Sequence, residues 1–403
     1  MDRRTDDEPM SRRRYLGTGA ALGGALLAGC SGGGSDGTTT SSTDTTTDAD
    51  TTTQSQSYTA SVAPVGDVEF DSVPESVFTV FPQYADMAVA LGHGDAINSV
   101  YVPKMSGTTM NQYYARLDDV SFDWEGLPDP LSDGLSKEFL YSLDSDVHLT
   151  DPAWASTQQN WSQSDVEEIR DTLAPWFGNF YSGTNADAPD GYADAYEYYT
   201  LWELFGHVAD VFRERARYEA LASVHADLMT TIEDGLPPED ERPTAVRVTY
   251  SDGSFWTYHI NWPGYWQADT RPLGAHDAFA DEDWGQLWGQ VGMEAMAEAD
   301  PDVILHLWGM TPNYDMAQVR SQLESHDVGS QLSAVQNDRV YAQGMRYQGP
   351  VMNLFQLEMT AKQLYPDVFG EWPGYTGGDY PQIPEDERLF SRADVSAAID
   401  GDV

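Results

Sequence analysis

One short pattern occurs twice in this chain, opening at Glu138 and again at Glu294, 294 − 138 = 156 residues later. In each copy the glutamate starts a short run with helical spacing. An Asp-x-Asp turn follows (Asp144 and Asp146; Asp300 and Asp302), and a strand-like run leaves it (Val147 to Leu149; Val303 to Leu305). A repeated α-to-β unit at two distant places predicts two similar α/β lobes. Each lobe then carries a glutamate at an equivalent helix start, and paired lobes enclose a cleft.

The flanking sequence fits that division. The folded body begins near Tyr58, and the first lobe extends to residue 195. Val77 to Phe81 reads as a strand stopped by Pro82; Tyr84 to Leu91 repeats apolar residues at helical spacing until Gly92. Ile97 to Val102 predicts a second short strand, Val166 to Leu173 a helix, and Trp176 to Tyr181 strand and loop. Within the inter-lobe segment 196–235 the apolar period runs on from about Tyr196 to Ile232, with Gly206 as its one interior glycine. That predicts one helix of about 50 Å at 1.5 Å per residue, long enough to run across both lobes. The second lobe spans 243–403. It opens with a strand over Ala245 to Tyr250, with Val246 and Val248 on one face, and continues into an aromatic loop holding Phe255, Trp262, Tyr265 and Trp266. A helix over Met316 to Ser325, a strand over Arg339 to Tyr341 and a helix over Val351 to Leu364 follow, and the Gly/Pro/Asp-rich tail from Glu371 is expected to wrap the surface.

The first thirty residues read as an address. Ser11-Arg12-Arg13-Arg14-Tyr15-Leu16 is a twin-arginine export pattern, followed by a Gly-rich apolar stretch shorter than the ~20 residues that span a bilayer. The stretch ends at Leu27-Ala28-Gly29-Cys30, similar to the lipobox of exported lipoproteins. Cys30 is the sole cysteine, so internal disulfides are excluded and lipidation is the expectation. Residues 31–57 hold no large apolar side chain and read as a flexible tether. No later segment has the length and apolarity of a membrane span. The expected location is the extracellular face of the membrane, on a lipid anchor.

Composition then removes partner classes. Acidic residues number 66 against 21 basic ones, a net charge of −45, and only Lys104, Lys137 and Lys362 are lysines. Such a surface repels nucleic-acid phosphates and anionic membranes. The acidity is spread along the whole chain, which predicts adaptation to a very salty, haloarchaeal-type medium, where the Debye length is about 3 Å. An ordinary acidic secreted protein is the alternative.

Several stretches together resemble one family. They are the opening strand and helix Val77 to Gly92, the two Glu-x5-Asp-x-Asp-Val units, and the ending Leu332 to Tyr341, Gly349-Pro350 and Ala361 to Pro366. With the long helix before Gly235 they resemble the substrate-binding proteins of metal-chelate ABC importers, which capture iron–siderophores, haem or cobalamin. The resemblance covers about Val68 to Phe369. It implies two Rossmann-like α/β lobes joined by a single long inter-lobe α-helix, a periplasmic-binding-protein-like fold of the helical-backbone type. It also implies a monomer that binds a metal chelate as cargo, uses no cofactor of its own, and delivers to an ABC permease and its ATPase. In that family a glutamate on each lobe docks into arginine pockets of the permease, and Glu138 and Glu294 stand at the matching positions. The bland reading of each is a favourable carboxylate in a helix first turn, worth up to about 1 kcal/mol. Ser145 departs from the family's proline at that place in the first unit.

Ligands of open α/β sheets sit beyond the carboxyl ends of strands. That rule selects Tyr84 after the first strand, Trp154 after the first repeat, Trp256 and Tyr258 in the second lobe, Trp308 after the second repeat, and Arg346 with Tyr347 after the Val340 strand. Aromatics suit a flat or apolar chelate and arginine its anionic oxygens; core packing is the competing fate of each aromatic. A lone arginine in an aromatic loop needs an anionic partner, either a ligand or a protein carboxylate. Rival functions have less support. The chain shows no nucleophile elbow, zinc-protease pair or phosphate-binding glycine loop. Direct zinc or manganese binding would need its scattered histidines to converge, with His259, His276 and His306 the candidates. An adhesion or sensory domain on the same fold is a third option.

Overall fold

The computed structural model describes residues 57–251 and 253–402. The twin-arginine pattern, Cys30 and nearly all of the tether lie outside the described residues. The first lobe opens with an antiparallel hairpin of β1 (Tyr58–Val62) and β2 (Gly66–Phe70). Alternate residues Ala60, Val62, Val68 and Phe70 are buried, the two-residue period of a half-covered strand. β3 (Val77–Thr79) leads into α1 (Pro82–Ala90), all of it buried, and then α2 (Pro103–Tyr114). α3 (Lys137–Leu143) and β4 (Val147–Leu149) are the first repeat unit. α4 (Pro152–Ala155), α5 (Gln163–Thr172) and α6 (Tyr181–Thr184) complete this lobe. β3 and β4 pair in parallel, and single parallel bridges at Ile97 and Trp176 widen the sheet on either side. The strand expected over Ile97 to Val102 is thus only a bridge, because Val102 turns into the left-handed region (φ 41°) to start α2.

The expected single helix over 196–235 is two helices. Thr200 and Glu203 form a capping box that starts α7 (Leu201–Phe212). Arg213 then adopts φ 58°, and α8 (Arg215–Gly235) follows. α7 lies against β1 and α1 and belongs to the first lobe. α8 is the long connecting helix, 21 residues or about 31 Å. Gly206 explains the fold-back: a Cβ there would stand 3.1 Å from the Tyr218 ring, so its absence lets α8 pack onto α7. The apolar period belonged to two packed helices, and a two-residue break hardly disturbs its phase.

In the second lobe β5 (Thr244–Ser251) is central, followed by β6 (Ser254–Tyr258), β7 (His276–Asp277) and β8 (Trp288–Gly292). α9 (Met293–Ala299) and β9 (Val303–His306) are the second repeat unit. α10 (Met316–Ser325), α11 (Ser333–Gln336), β10 (Val340–Ala342), α12 (Pro350–Leu364) and α13 (Pro366–Phe369) follow. The sheet order is β10-β9-β5-β6-β8: β10, β9 and β5 run parallel, β6 pairs antiparallel with both β5 and β8, and β7 pairs in parallel with the first residues of β5. The tail does wrap the surface, but it ends in α14 (Arg392–Asp400), packed on α8. Buried Glu358 of α12 anchors it by pairing with Arg392 and accepting from Tyr380 Oη at 2.9 Å and Leu389 N at 2.8 Å.

The two repeat units share their internal contacts. Asp144 (φ 49°) and Asp300 (φ 37°) end their helices in the left-handed conformation. The next aspartate then pins the head of the neighbouring parallel strand. Asp146 Oδ2 accepts from Glu75 N and Ser76 N, both at 2.9 Å, and Asp302 Oδ2 accepts from Thr244 N at 2.9 Å. The Asp-x-Asp turn therefore sets strand register in both lobes. Neither glutamate takes part.

Candidate functional site

The loops after β9 and β10 face the segment Tyr101 to Met105 of the first lobe across a cavity of about 260 Å³. Tyr101 and Met105 line one side; Trp308, Asn313, Tyr314, Arg346 and Tyr347 line the other. Arg346 is part-buried, and its guanidinium lies 4.4 Å from the Trp266 ring centre, 4.9 Å from Tyr347, and 5.6 Å from both Trp288 and Trp308. Its Nη2 donates to Tyr347 Oη at 2.8 Å, while its Nε is buried with no hydrogen-bond partner. Among the described residues it has no carboxylate ion pair, in a chain with 66 acidic residues. Aromatic faces attract the cation but give its N–H groups no in-plane acceptor. Its N–H edge is therefore only partly satisfied by the protein.

Tyr347 is where the lobes meet. Its ring touches Phe81 (5.2 Å) and Tyr101 (6.2 Å) of the first lobe and Trp266 (5.2 Å) and Trp308 (5.5 Å) of the second. Two backbone outliers flank the cavity, Val102 (φ 41°) and Trp308 (φ 69°). A β-branched residue before proline and a tryptophan are both disfavoured there, by ~1–3 kcal/mol each, a cost that concentrates at ligand clamps.

A buried polar network positions the cage. Arg247 on β5 and Asp269 are both fully buried and paired at 2.6 Å. Arg247 also holds Gln267 Oε1 (2.7 Å) and the Trp266 carbonyl (3.2 Å), so it fixes the turn that carries Trp266. Asp269 accepts from Gln348 Nε2 at 2.9 Å, and Gln348 Oε1 accepts from Asn353 and Gln356, each at 2.9 Å. The Trp266 turn, the Arg346 loop and α12 are therefore tied together by one hydrogen-bond network. From the first lobe, buried Asp86 accepts from Met352 N at 3.1 Å and from the Tyr114 hydroxyl, which supplies α12 with the N-terminal cap that Gly349 lacks. Burial pushes the Asp86 carboxyl up to about 7, against the lowering by Tyr114 and the α12 amides. Burial likewise raises Asp151, which accepts from Ala153 N, Phe180 N and Tyr196 Oη, to about 6.

Of the residues expected at the ligand site, Trp308, Arg346 and Tyr347 line the cavity. Tyr258 adjoins it through Trp288, ring to ring at 6.2 Å. Trp154 stands one layer back, against Phe81 (5.0 Å) and Phe180 (5.8 Å), and does not line the cavity. Tyr84 is a core residue, 1% exposed, whose hydroxyl accepts from Asn179 N at 2.8 Å and reaches the Asn179 carbonyl at 3.3 Å. Trp256 is outside the site. It shares the face of Tyr258 but lies nearer the hairpin tip, opposite Gln290 and 46% exposed. Missing from the expectation were Tyr101, Met105, Asn313, Tyr314, Trp266 and Trp288. Trp266 belonged to the aromatic loop already noted, and Tyr314 sits six residues beyond Trp308. Glu138 and Glu294 are exposed in the first turns of α3 and α9 and have no ion-pair or hydrogen-bond partner among the described residues. The three second-lobe histidines each have separate partners: Asp277 for His259, the Glu239 carbonyl for His276, the Tyr250 amide for His306. No group of three metal-ligating residues forms among the described residues. No helix of the described residues is long and apolar enough to cross a membrane.

A sequence profile described as periplasmic binding protein matches residues 145–347, from the first repeat's turn to the cage tyrosine. No curated protein matches the chain. Solved structures do. A periplasmic binding protein of Veillonella parvula is 16% identical with a TM-score of 0.54, over 81% of this chain and 95% of its own. An iron-uptake ABC transporter substrate-binding protein of Streptococcus pneumoniae is 15% identical with a TM-score of 0.51, over 77% and 98%. A molybdate-bound periplasmic binding protein of a Haemophilus influenzae ABC transporter is 18% identical with a TM-score of 0.51, over 74% and 89%. At these identities the likeness concerns the fold.

Proposed function

The chain belongs to the periplasmic binding protein family, and from that premise we propose that it is the extracytoplasmic solute-binding component of an ABC importer whose cargo is an anionic metal chelate of the iron(III)–siderophore type. The observation that carries the reading is Arg346, a cation without a protein carboxylate, caged by Trp266, Trp288, Trp308 and Tyr347 between the lobes. An anionic hydroxamate or carboxylate oxygen supplies the missing acceptor, and the aromatic faces take the apolar body of the chelate. A bare cation would meet the wrong charge. Haem or cobalamin, each built on a broad macrocycle and carrying carboxylate or phosphate groups, fits the same chemistry. The structural neighbour that takes up iron and the one that holds molybdate agree with a fold used for metal species.

In this reading the protein leaves the cytoplasm by the twin-arginine route and is held at the membrane by a lipid on Cys30. Its acidity keeps it hydrated in a very salty medium. Glu138 and Glu294, exposed and unpaired, are the docking points for a permease that presents arginines.

The test is a tryptophan-fluorescence titration with ferric hydroxamates, ferric catecholates, haem and cobalamin. Saturable quenching is expected from one class, because three tryptophans surround the cation. No saturable response to any of the four sinks the ligand class. For docking, the Glu138→Ala/Glu294→Ala double variant should abolish uptake with unchanged ligand affinity; retained uptake would leave both glutamates as helix-start residues only.

A further inference from the structure

We propose a second ligand site, remote from the inter-lobe cavity, that binds an oxyanion group through Arg116, Arg388 and Arg392. A cavity of about 500 Å³ lies between the end of α2 (Ala115 to Asp118) and the C-terminal segment (Pro381 to Pro384, with Arg388 and Arg392). The chain has 66 acidic and 21 basic residues, yet this lining holds three arginines and one carboxylate, Asp118. That inverts the composition of the whole protein.

Two of the arginines are pre-oriented. Arg116 Nε donates to the Tyr380 carbonyl at 2.5 Å, and Arg388 Nε donates to the Ile383 carbonyl at 3.1 Å. Both inner nitrogens are thus tied to one short wall segment, which leaves both terminal nitrogens of Arg388 and Nη2 of Arg116 for a ligand. Arg388 has no ion-pair partner among the described residues. Arg116 has a loose one: Nη1 lies 3.8 Å from Asp379, an exposed carboxylate beyond hydrogen-bond distance. The same Nη1 reaches the Ala115 carbonyl at 3.3 Å.

Arg392 supplies an independent sign. It is 7% exposed, and its Nη2 pairs with buried Glu358, but its Nη1 is buried with no hydrogen-bond partner among the described residues. Its stacking on Phe390 (3.6 Å) and Phe355 (4.2 Å) satisfies the face of the guanidinium and not its N–H edge. A buried charged donor without an acceptor is costly, and such groups call for an explanation. The carbonyls that end α2 do not compete for the cavity, since the amides of Ala115, Arg116 and Leu117 already bond to Asn111, Tyr113 and Tyr114.

Forked guanidinium groups match the oxygens of phosphate, sulfate or carboxylate. The ligand class is an ion or small molecule carrying such a group. With one wall from the first lobe and the other from the C-terminal segment, the anion fastens that segment in place.

The experiment is isothermal titration of the whole protein with inorganic phosphate and, separately, citrate, at constant ionic strength. Saturable one-to-one binding is expected, with a Kd on the order of 1 mM. It should weaken about tenfold in Arg388→Gln and in Arg116→Gln, as loss of a charge-assisted bond requires, be lost in the Arg116→Gln/Arg388→Gln double variant, and persist in Arg346→Met, where the inter-lobe cavity has lost its own cation. The stronger of the two probes tells a phosphate source from a carboxylate one. The proposal is overturned by no saturable heat with either anion. Binding that survives the double substitution overturns it too, as does binding lost in Arg346→Met alone, which would put the anion between the lobes.

Discussion

Replacing Arg346 with methionine should cost ligand affinity while leaving stability nearly unchanged. Methionine keeps most of the apolar stem and stays in contact with Trp266, 4.4 Å from the present guanidinium. What leaves is a charge with one good protein hydrogen bond, to Tyr347 at 2.8 Å, and a buried orphan Nε. Burying an unsatisfied donor costs about 1–3 kcal/mol, and the lost bond and cation–π attraction are worth about the same. The unfolding free energy should therefore stay within about 1 kcal/mol of wild type, where an ordinary large-to-small core change costs 2–5. Affinity for an anionic chelate should fall by about 1.5–3 kcal/mol, the worth of hydrogen bonds to a charged group, or about 10–150-fold in Kd. Urea unfolding measures the first quantity and fluorescence titration with the bound ferric chelate the second. A variant that unfolds about 3 kcal/mol more easily and binds within about threefold of wild type would refute the argument, because Arg346 would then be a structural residue.

Other substitutions test the supports of the cage. Arg247→Ala leaves Asp269 as a buried unpaired charge and should cost about 3–5 kcal/mol in urea unfolding; Arg247→Met with Asp269→Leu should recover much of it, and no recovery would mean that the pair is not the cause. At Gly349 a Cβ would stand 2.5 Å from Asp86 Oδ2 and 2.7 Å from the Gln83 carbonyl. Gly349→Ala should thus destabilise by about 1–3 kcal/mol and weaken ligand binding, whereas wild-type behaviour would show that the lobes can part there freely. Burial raises Asp86 to about 7, so the folded protein holds its proton more tightly than the unfolded chain does. Its contribution is present below the unfolded value near 4 and is lost as pH rises through about 7. The imidazoles of buried His148 and His306 and part-buried His225, lowered to about 4 by desolvation, act in the opposite sense, so the difference between wild type and Asp86→Asn is the quantity to read. Relative to wild type, the Asn variant should gain stability between pH 5 and pH 8 on the order of a few kcal/mol; a difference independent of pH would contradict the assignment.

The lobes were legible because the α-to-β unit is written twice, and the Asp-x-Asp turns do the same work at Ser76 and Thr244. The break at Arg213 was not. An arginine in the left-handed region has no compositional signature, and the apolar phase continues through it. Arg346 could be found from sequence by elimination, as a basic residue at a strand end with no acidic neighbour beside it. Its cage could not, because Trp266 comes from a turn fixed by Arg247 and Asp269, and Trp288 from an edge strand. Trp256 and Tyr258 share a face by the two-residue period, yet only the one farther from the hairpin tip is covered. Periodicity gives the face of a side chain, and the distance along the strand decides whether anything meets it. Tyr84 is away from the cavity for a related reason: every residue of α1 is buried, so the helix that follows the first strand is core on all its faces.

The central claim is that the aromatic cage of Arg346 holds a metal chelate by its anionic oxygens. A crystal structure of the protein with the quenching ferric chelate, phased on iron anomalous scattering, tests it most directly. The account predicts one iron peak between the lobes, with a chelate oxygen within hydrogen-bond distance of the Arg346 guanidinium. Iron bound by protein side chains directly, or a chelate seated away from Arg346, would contradict it.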